Sequence, residues 1–182
     1  MYWEKIEGFF NFQNIYTDMV RKFDNAIFAE IGSWKGQSTV YMAEEIEKYE
    51  KNIKFYAIDT FDGTADEHDK DVDVINKTLY DTYLKNISPV KDYIITIKGN
   101  STEVYTQFEN ESIDFLFIDG DHTYKGVRAD LLNWFPKVKK GGIIAGHDYA
   151  EPSCGVKMAV DSYFLFTGII QNGTSWIYNK KG

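Results

Sequence analysis

Short apolar runs alternate along the chain with segments of helical periodicity. Each run ends at a polar residue or a glycine, and runs of this length suit the strands of a parallel sheet that is covered on both faces. The runs occupy residues 26–30, 53–59, 93–98, 113–119 and 142–147. The alternation therefore predicts an α/β fold with a doubly wound, mostly parallel sheet.

The segments between these runs repeat apolar residues every three or four positions, as the buried face of a helix does. In one of them Met42, Ile46 and Tyr49 follow this spacing. Helices are therefore predicted over 13–21, 37–50 and 123–135, the last ended by Pro136, and from Val156 to Phe164.

A hairpin signal closes the chain. Two apolar runs, 168–171 and 175–179, are separated only by Asn172, Gly173 and Thr174. An antiparallel pair is therefore expected at one side of the sheet, which brings the predicted number of strands to seven.

Groups that carry chemistry end four of the five parallel strands. They are Glu30, Asp59, Asp119 and the pair His147 and Asp148. Because the carboxyl ends of parallel strands lie at one edge of a sheet, where α/β proteins bind their ligands, we expect these side chains to meet in one site. A polar residue also ends many strands for no functional reason, and this alternative stays open for each residue singly.

The first strand runs into a glycine-bearing turn, E-I-G-S-W-K-G-Q-S, from Glu30 to Ser38. Gly32 and Gly36 are expected to let the backbone turn sharply and come close to a ligand. Their spacing is G-x-x-x-G, whereas pyrophosphate-binding dinucleotide folds use G-x-G-x-x-G. The carboxylate of Glu30 would repel a pyrophosphate, but it suits a ligand that carries an ammonium or sulfonium charge.

Two further strand ends fit an adenosine. An acid at the end of the second strand, here Asp59, can accept hydrogen bonds from both ribose hydroxyls. The segment after the third strand holds Asn100, Ser101 and Thr102, which would border an adenine. Both features have a simpler explanation, because Asp, Asn, Ser and Thr also cap helices and turns.

Acids and histidines cluster at the ends of the fourth and fifth strands. Asp119, Asp121 and His122 lie within four residues in I-D-G-D-H-T-Y, and A-G-H-D-Y adds His147 and Asp148. Carboxylates from two loops commonly hold Mg²⁺, and a histidine ligand favours Mn²⁺, Fe²⁺ or Zn²⁺. The alternative is that the acids cap turns and the histidines donate to carbonyls.

Composition limits the class of protein. The 182 residues have 43% hydrophobic content and a formal charge of −8, which predicts one folded domain and no nucleic-acid partner. We expect residues 1–25 to cover the sheet and residues 26–182 to form the core. Cys154 is the single cysteine, and neither a signal peptide nor a membrane-length apolar run is found, so we expect a cytoplasmic protein with no membrane association.

An acidic tract follows the second strand, from Asp62 to Asp73. Such a run is commonly a solvated loop. Because it lies beside the predicted site, a mobile lid is the second interpretation. His68, within the tract, is predicted to be a surface residue.

These motifs together resemble class I S-adenosylmethionine-dependent methyltransferases, which have a Rossmann-like fold, over about residues 28–179. The similarity is greatest to small O-methyltransferases, among them the catechol and the sugar or macrolide enzymes. E-I-G-S-W-K-G-Q-S is similar to their first motif and A-I-D-T-F to their ribose-binding strand end. F-I-D-G-D-H-T-Y and G-G-I-I-A-G-H-D-Y are similar to the two strand ends that hold a metal in metal-dependent members.

The resemblance implies a role for each matching residue. The methionine end of the cofactor would be held by the first motif and the ribose by Asp59 with Thr60 and Phe61. Asn100 and Ser101 would border the adenine. The first-motif residues are Glu30, Gly32, Ser33, Trp34, Gly36 and Ser38; Asp119 would touch the cofactor and, with Asp148 and His147, ligate a divalent cation such as Mg²⁺.

The base that activates the acceptor is left open. Catechol enzymes place a lysine three residues after the first metal-binding acid, and here that residue is His122. Some sugar-modifying relatives place an acid two residues after it, and here that residue is Asp121. Catechol enzymes end the fifth strand in Asp-Asn, whereas this chain has His147 and Asp148, so the need for a metal is open as well.

The sequence thus predicts an S-adenosylmethionine-dependent O-methyltransferase of a small molecule or sugar hydroxyl. A non-catalytic S-adenosylmethionine- or nucleotide-binding protein is the alternative, and an NAD-dependent dehydrogenase ranks last because of the glycine spacing. Aromatic residues of the amino-terminal stretch, the acidic tract and residues 150–155 would form the acceptor pocket. The same aromatic residues, from Tyr2 to Tyr16, would equally serve to cover the sheet or to form a homodimer contact.

Overall fold

One seven-stranded sheet runs through the computed structural model, which describes residues 1–63, 70–151 and 155–182. Its order is β3-β2-β1-β4-β5-β7-β6. The first five strands are parallel, and β7 lies antiparallel to both β5 and β6, which confirms the predicted sheet and its closing hairpin. The strands are β1 Ala26–Ile31, β2 Ile53–Asp59, β3 Ile94–Lys98, β4 Ile113–Ile118, β5 Val138–Gly146, β6 Ile169–Asn172 and β7 Ser175–Asn179.

Helices cover both faces of the sheet. They are α1 Gln13–Lys22, α2 Gln37–Lys48, α3 Val72–Ile75, α4 Leu79–Ile87, α5 Ser101–Val104, α6 Tyr124–Trp134 and α7 Val156–Tyr163, with 3-10 turns at Trp3–Lys5, Ser88–Tyr93, Tyr105–Gln107 and Phe135–Lys137. Within the described ranges no helix combines the length and apolar character that crossing a membrane requires.

Strand β4 lies at the centre and shows how the two layers are built. Its side chains alternate between the faces, so Phe115 and Phe117 pack with α1 and α2, while Leu116 and Ile118 pack with α6 and α7. All four side chains are buried, as expected of a parallel strand covered on both faces. Packing of the hydrophobic cores on both faces fixes the position of the carboxyl ends of the parallel strands.

Helices α3 and α4 and the start of strand β5 differ from the prediction. Helix α4, which was missed, buries Leu79, Tyr83 and Ile87 at helical spacing against the α2 side of the sheet. Strand β5 begins at Val138 and not at residue 142. Val138 already pairs with Ile113 of β4, ahead of a shift in register between Ile113 and Phe115, and Lys139 binds Asp114 at the surface. Polar residues in that part of β5 hid the strand from a pattern based on burial.

The amino-terminal stretch covers the sheet through its aromatic side chains. The ring of Phe12 stacks on Phe117 at 4.4 Å, and Tyr16 meets the same ring edge-on at 5.0 Å. Phe9 differs, since 78% of its surface is exposed. Phe12 and Tyr16 thus pack on a strand of the sheet, while the use of this stretch as a cover, an acceptor pocket or a homodimer contact stays a prediction.

Some predicted features fall outside the described residues. They include the middle of the acidic tract, with Asp66, Glu67, His68 and Asp69, and the single cysteine, Cys154. The described end of the tract is anchored, because Asp71 and Asp73 lie 2.7 and 3.4 Å from the ammonium group of Lys35.

Candidate functional site

A cavity of about 1260 Å³ opens at the carboxyl ends of the parallel strands. It lies where the strand order reverses between β1 and β4, the position at which open α/β sheets bind ligands. Most of the predicted site residues line it: Gly32, Ser33, Trp34, Ser38, Asp59, Thr60, Asn100, Ser101, Asp119, Asp121, His122, His147 and Asp148.

Three predicted cofactor residues lie behind the cavity wall. Phe61 is buried and packs on the ring of Tyr83. Gly36 begins α2 in a left-handed conformation, and a side chain there would press on the same tyrosine. Glu30 is enclosed at the end of β1, with 1% of its surface exposed. These residues shape the wall from behind.

The carboxylate of Glu30 stabilises the glycine turn through hydrogen bonds. It accepts hydrogen bonds from the hydroxyls of Tyr16 (2.8 Å), Ser33 (3.0 Å) and Thr39. Burial raises the pKa of Glu30, and the donated hydrogen bonds oppose that rise. Glu30 therefore does not line the cavity itself, whereas Ser33, which donates to it, does.

Gly32 allows the backbone that follows β1 to lie close to the backbone of Asp119, which follows β4. Its φ is +89°, and a Cβ atom there would lie 2.0 Å from the carbonyl oxygen of Asp119. The amide of Asp119 donates to the carbonyl of Ile31 at 2.7 Å, so the ends of β1 and β4 are joined at this point. The expectation that this glycine makes room for a ligand is corrected: the space it leaves is filled by the backbone of Asp119.

Asp59 ties the same turn to the end of β2. One carboxylate oxygen accepts from the amides of Ser33 (2.7 Å) and Trp34 (2.9 Å), and the other accepts from the amide of Phe61 (2.7 Å). The role as a turn acid is therefore observed. Asp59 also lines the cavity, and its contact with a ribose stays a prediction.

The predicted adenine border contains a buried acid that the sequence did not reveal. Asn100 caps α5 by accepting from the amide of Thr102 at 2.9 Å, while the Ser101 hydroxyl donates to Asp130 at 2.6 Å. Asp130 is buried in α6 and lines the cavity, and burial raises its pKa to about 6. An acid inside an amphipathic helix gives no local signal of such a position.

Two acids and two histidines meet at the ends of β4 and β5. Nε2 of His122 lies 3.2 Å from Asp148 and 3.6 Å from Asp119. Nδ1 of His147 lies 3.1 Å from Asp148 and 3.8 Å from Asp119. The sheet brings them together, because Ile118 and Gly146 are paired in register and the four residues follow directly.

The ligand atoms that converge differ in one residue from the predicted set. One atom each from Asp119, His122 and Asp148 lie within 4.8 Å of one another. The prediction placed His147 in this group and His122 apart from it as a base. In the structure Nε2 of His122 lies within 3.6 Å of both acids, and Nδ1 of His147 lies within 3.8 Å of both.

The cluster favours positive charge at His147. Burial by itself lowers the pKa of this imidazole, but the hydrogen bond to Asp148 and the charges of Asp119 and Asp148 outweigh burial and raise the pKa. For Asp148 burial raises the pKa, and the contact with His147 reverses the effect, so that its pKa is lowered. The two carboxylates thus favour the protonated form of the His147 imidazole.

Asp121 turns away from this cluster. Its carboxylate accepts from the amide of Thr123 at 2.8 Å and lies against Gly126, where any side chain would overlap it. Thr123 in turn caps α6 by accepting from the amide of Gly126. Asp121 lines the cavity from the segment before α6, whereas His122 reaches the two acids.

Residues from distant parts of the chain complete the site. Oδ1 of Asn11 and Oγ1 of Thr174 lie 2.9 and 2.8 Å from Nε2 of His147. Lys35, in the glycine turn, binds Glu7 at 2.8 Å as well as the acidic tract. Burial would lower the pKa of Lys35, but Asp71 and Glu7 raise it above the ordinary value. Asn11, Thr174 and Lys35 were not among the predicted site residues, and their local sequence carries no signal for these roles.

Known structures share this fold. The O-methyltransferase NovP superposes with a TM-score of 0.66 at 18% identity, over 93% of this chain and 78% of NovP. The calicheamicin methyltransferase CalS11 superposes with a TM-score of 0.65 at 15% identity, over 92% of this chain and 76% of CalS11. At these identities the likeness shows the fold.

Sequence comparison gives the family. An uncharacterised protein of Sinorhizobium fredii is 26% identical over 119 residues, which are 65% of this chain and 12% of that protein. Another, from Acanthamoeba polyphaga mimivirus, is 27% identical over 130 residues, 70% of this chain and 53% of that protein, so the chain spans about half or less of these relatives. The family model described as "Methyltransferase domain" matches residues 29–149, from β1 through the acid and histidine cluster. The chain therefore belongs to the methyltransferase-domain family.

Proposed function

We propose that this chain is an S-adenosylmethionine-dependent O-methyltransferase that acts on a small molecule. The observation that carries the proposal is one cavity with two chemically different sides. One side has the glycine turn and Asp59, and the other has Asp119, His122 and Asp148. Methyl transfer is an in-line displacement, so donor and acceptor must lie side by side and the acceptor must be made nucleophilic.

The first side fits the cofactor. Ser33 and Trp34 line it at the turn, and Ser38 lies in the first turn of α2, where the helix amino terminus favours a negative group such as a carboxylate. Asp59 and Thr60 would hold the ribose, and Asn100 and Ser101 would border the adenine. When bound, S-adenosylmethionine supplies a methyl group on a sulfonium sulfur.

The second side fits a divalent cation by its donor set. Asp119 and Asp148 offer carboxylate oxygens, the ligands that Mg²⁺ prefers, and His122 offers an imidazole nitrogen, which favours Mn²⁺, Fe²⁺ or Zn²⁺. His147 remains a proposed further ligand. A cation held there would lower the pKa of an acceptor hydroxyl.

His122 is the base that the geometry favours when no cation takes part. It lies against Asp148 and Asp119, so these carboxylates would orient the imidazole and stabilise its positive charge after it accepts a proton. The carboxylate of Asp121 is engaged by the amide of Thr123 at the start of α6. Asp121 is therefore the second choice.

A small hydroxyl compound, sugars included, is the acceptor we propose. Phe9, Phe10 and Phe12 line the cavity, and Phe9, which is 78% exposed, offers a ring on which a flat or sugar ring can stack. CalS11 is described as a TDP-rhamnose 3'-O-methyltransferase. The cytoplasmic location, the homodimer and the lack of a nucleic-acid partner stay predictions.

An acceptor screen with methyl-labelled S-adenosylmethionine tests the proposal. We expect label to move to a hydroxyl compound, and failure across sugars, nucleotide sugars and phenols would favour a non-catalytic binding protein. With an acceptor in hand, chelator followed by Mg²⁺ or Mn²⁺ separates the two mechanisms. Activity that survives chelator and is lost in His122→Ala, but not in Asp148→Asn, would rule out the cation and retain the histidine.

A further inference from the structure

Asp130 is a buried acid that reaches the part of the cavity where Asn100 and Ser101 lie. It belongs to the buried face of α6, whose other members are apolar, and 3% of its surface is exposed, yet it lines the cavity. Within the described residues it receives one hydrogen bond, from Ser101, and forms no ion pair. A buried carboxylate with no cation beside it is costly, so a donor supplied by a ligand would stabilise it.

The hydrogen bond from Ser101 leaves two acceptors in this part of the cavity. The Ser101 hydroxyl donates its one proton to Oδ1 of Asp130 at 2.6 Å, so the hydroxyl oxygen can still accept. Oδ2 of Asp130 receives no donor from the described residues. Nε1 of Trp134, one turn further along α6, donates to the carbonyl of Ser101 at 3.1 Å and fixes the two segments to each other.

We propose that Asp130 and Ser101 select adenine over other purines by accepting hydrogen bonds from its 6-amino group. That group carries two hydrogens, whereas guanine and hypoxanthine carry a carbonyl oxygen, which is an acceptor, at the same position. Such an oxygen would face the two acceptors with no hydrogen between them. The inference rests on the proposed function, because it concerns the base of the methyl donor.

The position of Asp130 sets it apart from the other predicted cofactor residues. Those residues lie at the ends of strands and in the segments that follow them, whereas Asp130 lies within α6. An acid in this helix has a simpler use, which is to anchor the start of α5 through Ser101. That use needs only Oδ1, whereas selection of adenine needs Oδ2 as well. An asparagine separates the two uses, because it can keep the acceptor for Ser101 and replaces the other oxygen by a donor.

Calorimetric titration of the full chain with S-adenosylhomocysteine and with S-inosylhomocysteine tests the proposal. The second compound carries an oxygen in place of the 6-amino group. At pH 8 Asp130 is ionised, since burial raises its pKa to about 6. We expect the parent to bind S-adenosylhomocysteine at least about tenfold more tightly, as for hydrogen bonds to a charged group.

The parent alone can overturn the inference. Equal affinity for the two compounds would show that the 6-amino group is not recognised, while the proposed cofactor site would stand. Binding of neither compound would overturn the proposed function, and the inference would fall with it.

The variant Asp130→Asn tests whether this acid causes the preference. Its amide can donate to the oxygen of S-inosylhomocysteine, so the ratio of the two dissociation constants should fall by at least about tenfold. Glu103→Gln is the matched control, because it converts an exposed acid of α5 to its amide, and its ratio should equal that of the parent. An Asp130→Asn variant that keeps the parental ratio, or that weakens both compounds equally, would overturn the role of Asp130 in selecting the base.

Discussion

At the scale of single residues, Gly32 connects the cofactor side of the cavity with the acid and histidine cluster. Its left-handed backbone and the 2.0 Å approach of the Asp119 carbonyl leave no room for a Cβ atom. The glycine in the first motif is therefore required by packing of the chain on itself. A substitution at Gly32 would disturb both sides of the cavity through the fold.

Gly32→Ala should thus unfold more easily than Gly173→Ala. Both glycines have positive φ, but a Cβ at Gly173 meets no atom within 4 Å. The strain of a left-handed alanine alone costs about 1–2 kcal/mol, and overlap with the backbone of Asp119 adds roughly 1–3 kcal/mol. Denaturant unfolding of both variants measures the difference, and equal losses of stability would contradict the packing role.

Asp130→Asn should raise stability at neutral pH. The pKa of Asp130 is raised from 3.8 to about 6 by burial, so ionisation costs more in the folded chain than in the unfolded chain. The cost is absent below about pH 4, grows between the two pKa values and is complete above about pH 6. An asparagine still accepts from Ser101 and avoids the charge.

We therefore expect the free energy of unfolding of Asp130→Asn to exceed that of the parent by about 3 kcal/mol at pH 7 and to match it near pH 4. Urea unfolding at both pH values measures this gap. Asp18→Asn, which removes an exposed acid of α1, is the control. A gap that stays constant with pH would show that Asp130 is not the titrating group.

The sequence predicted which residues meet at the carboxyl edge, but not which ones support them. Asp119, His122 and Asp148 could be placed because parallel strands end at one edge. Asn11, Thr174 and Asp130 could not, since each reaches the cavity from a segment far along the chain and has a residue type that is common on surfaces. Long-range packing alone reveals them.

At the scale of elements, the glycine turn anchors the segments on either side of the cavity. The Lys35 side chain is 6% exposed and binds Glu7 of the amino-terminal segment together with Asp71 and Asp73 of the acidic tract. One cation thus fixes three chain segments. Its removal would leave acids facing one another with no positive charge between them.

Lys35→Met should cost about 3–5 kcal/mol of stability, as expected when one partner of a buried ion pair is removed. Lys139→Met is the matched control, because Lys139 binds Asp114 with 40% of its side chain exposed, and exposed pairs contribute at most about 1 kcal/mol. Hydrogen exchange should increase in residues 1–12 and 70–76 of the Lys35 variant. Equal costs for the two variants would argue against the anchoring role.

The sequence predicted strands and helices where the buried residues form a regular pattern of apolar positions along the chain. Strands β1, β2 and β4 consist mainly of apolar residues and were found within one residue. Helix α4 was missed although Leu79, Tyr83 and Ile87 have helical spacing, because the acidic tract before it was interpreted as a loop. The start of β5 was missed because Lys139 and Lys140 interrupt its apolar run.

At the scale of the whole molecule, the sheet places two kinds of chemistry in one cavity. In the proposed function, the turn after β1 and the end of β2 form the cofactor side, and the ends of β4 and β5 form the reaction side. Because β1 and β4 are neighbours in the sheet, the two sides adjoin. The order of the strands, which no local pattern encodes, therefore determines that donor and acceptor can meet.

Calorimetric titration of the full chain with S-adenosylhomocysteine, and separately with NADH, distinguishes a methyl-donor site from a dinucleotide site. We predict that S-adenosylhomocysteine binds with one molecule per chain and that NADH gives no measurable heat, since the G-x-x-x-G turn and Glu30 do not suit a pyrophosphate. Absence of heat with S-adenosylhomocysteine, or equal affinity for NADH, would contradict the assignment of this cavity to a methyl donor.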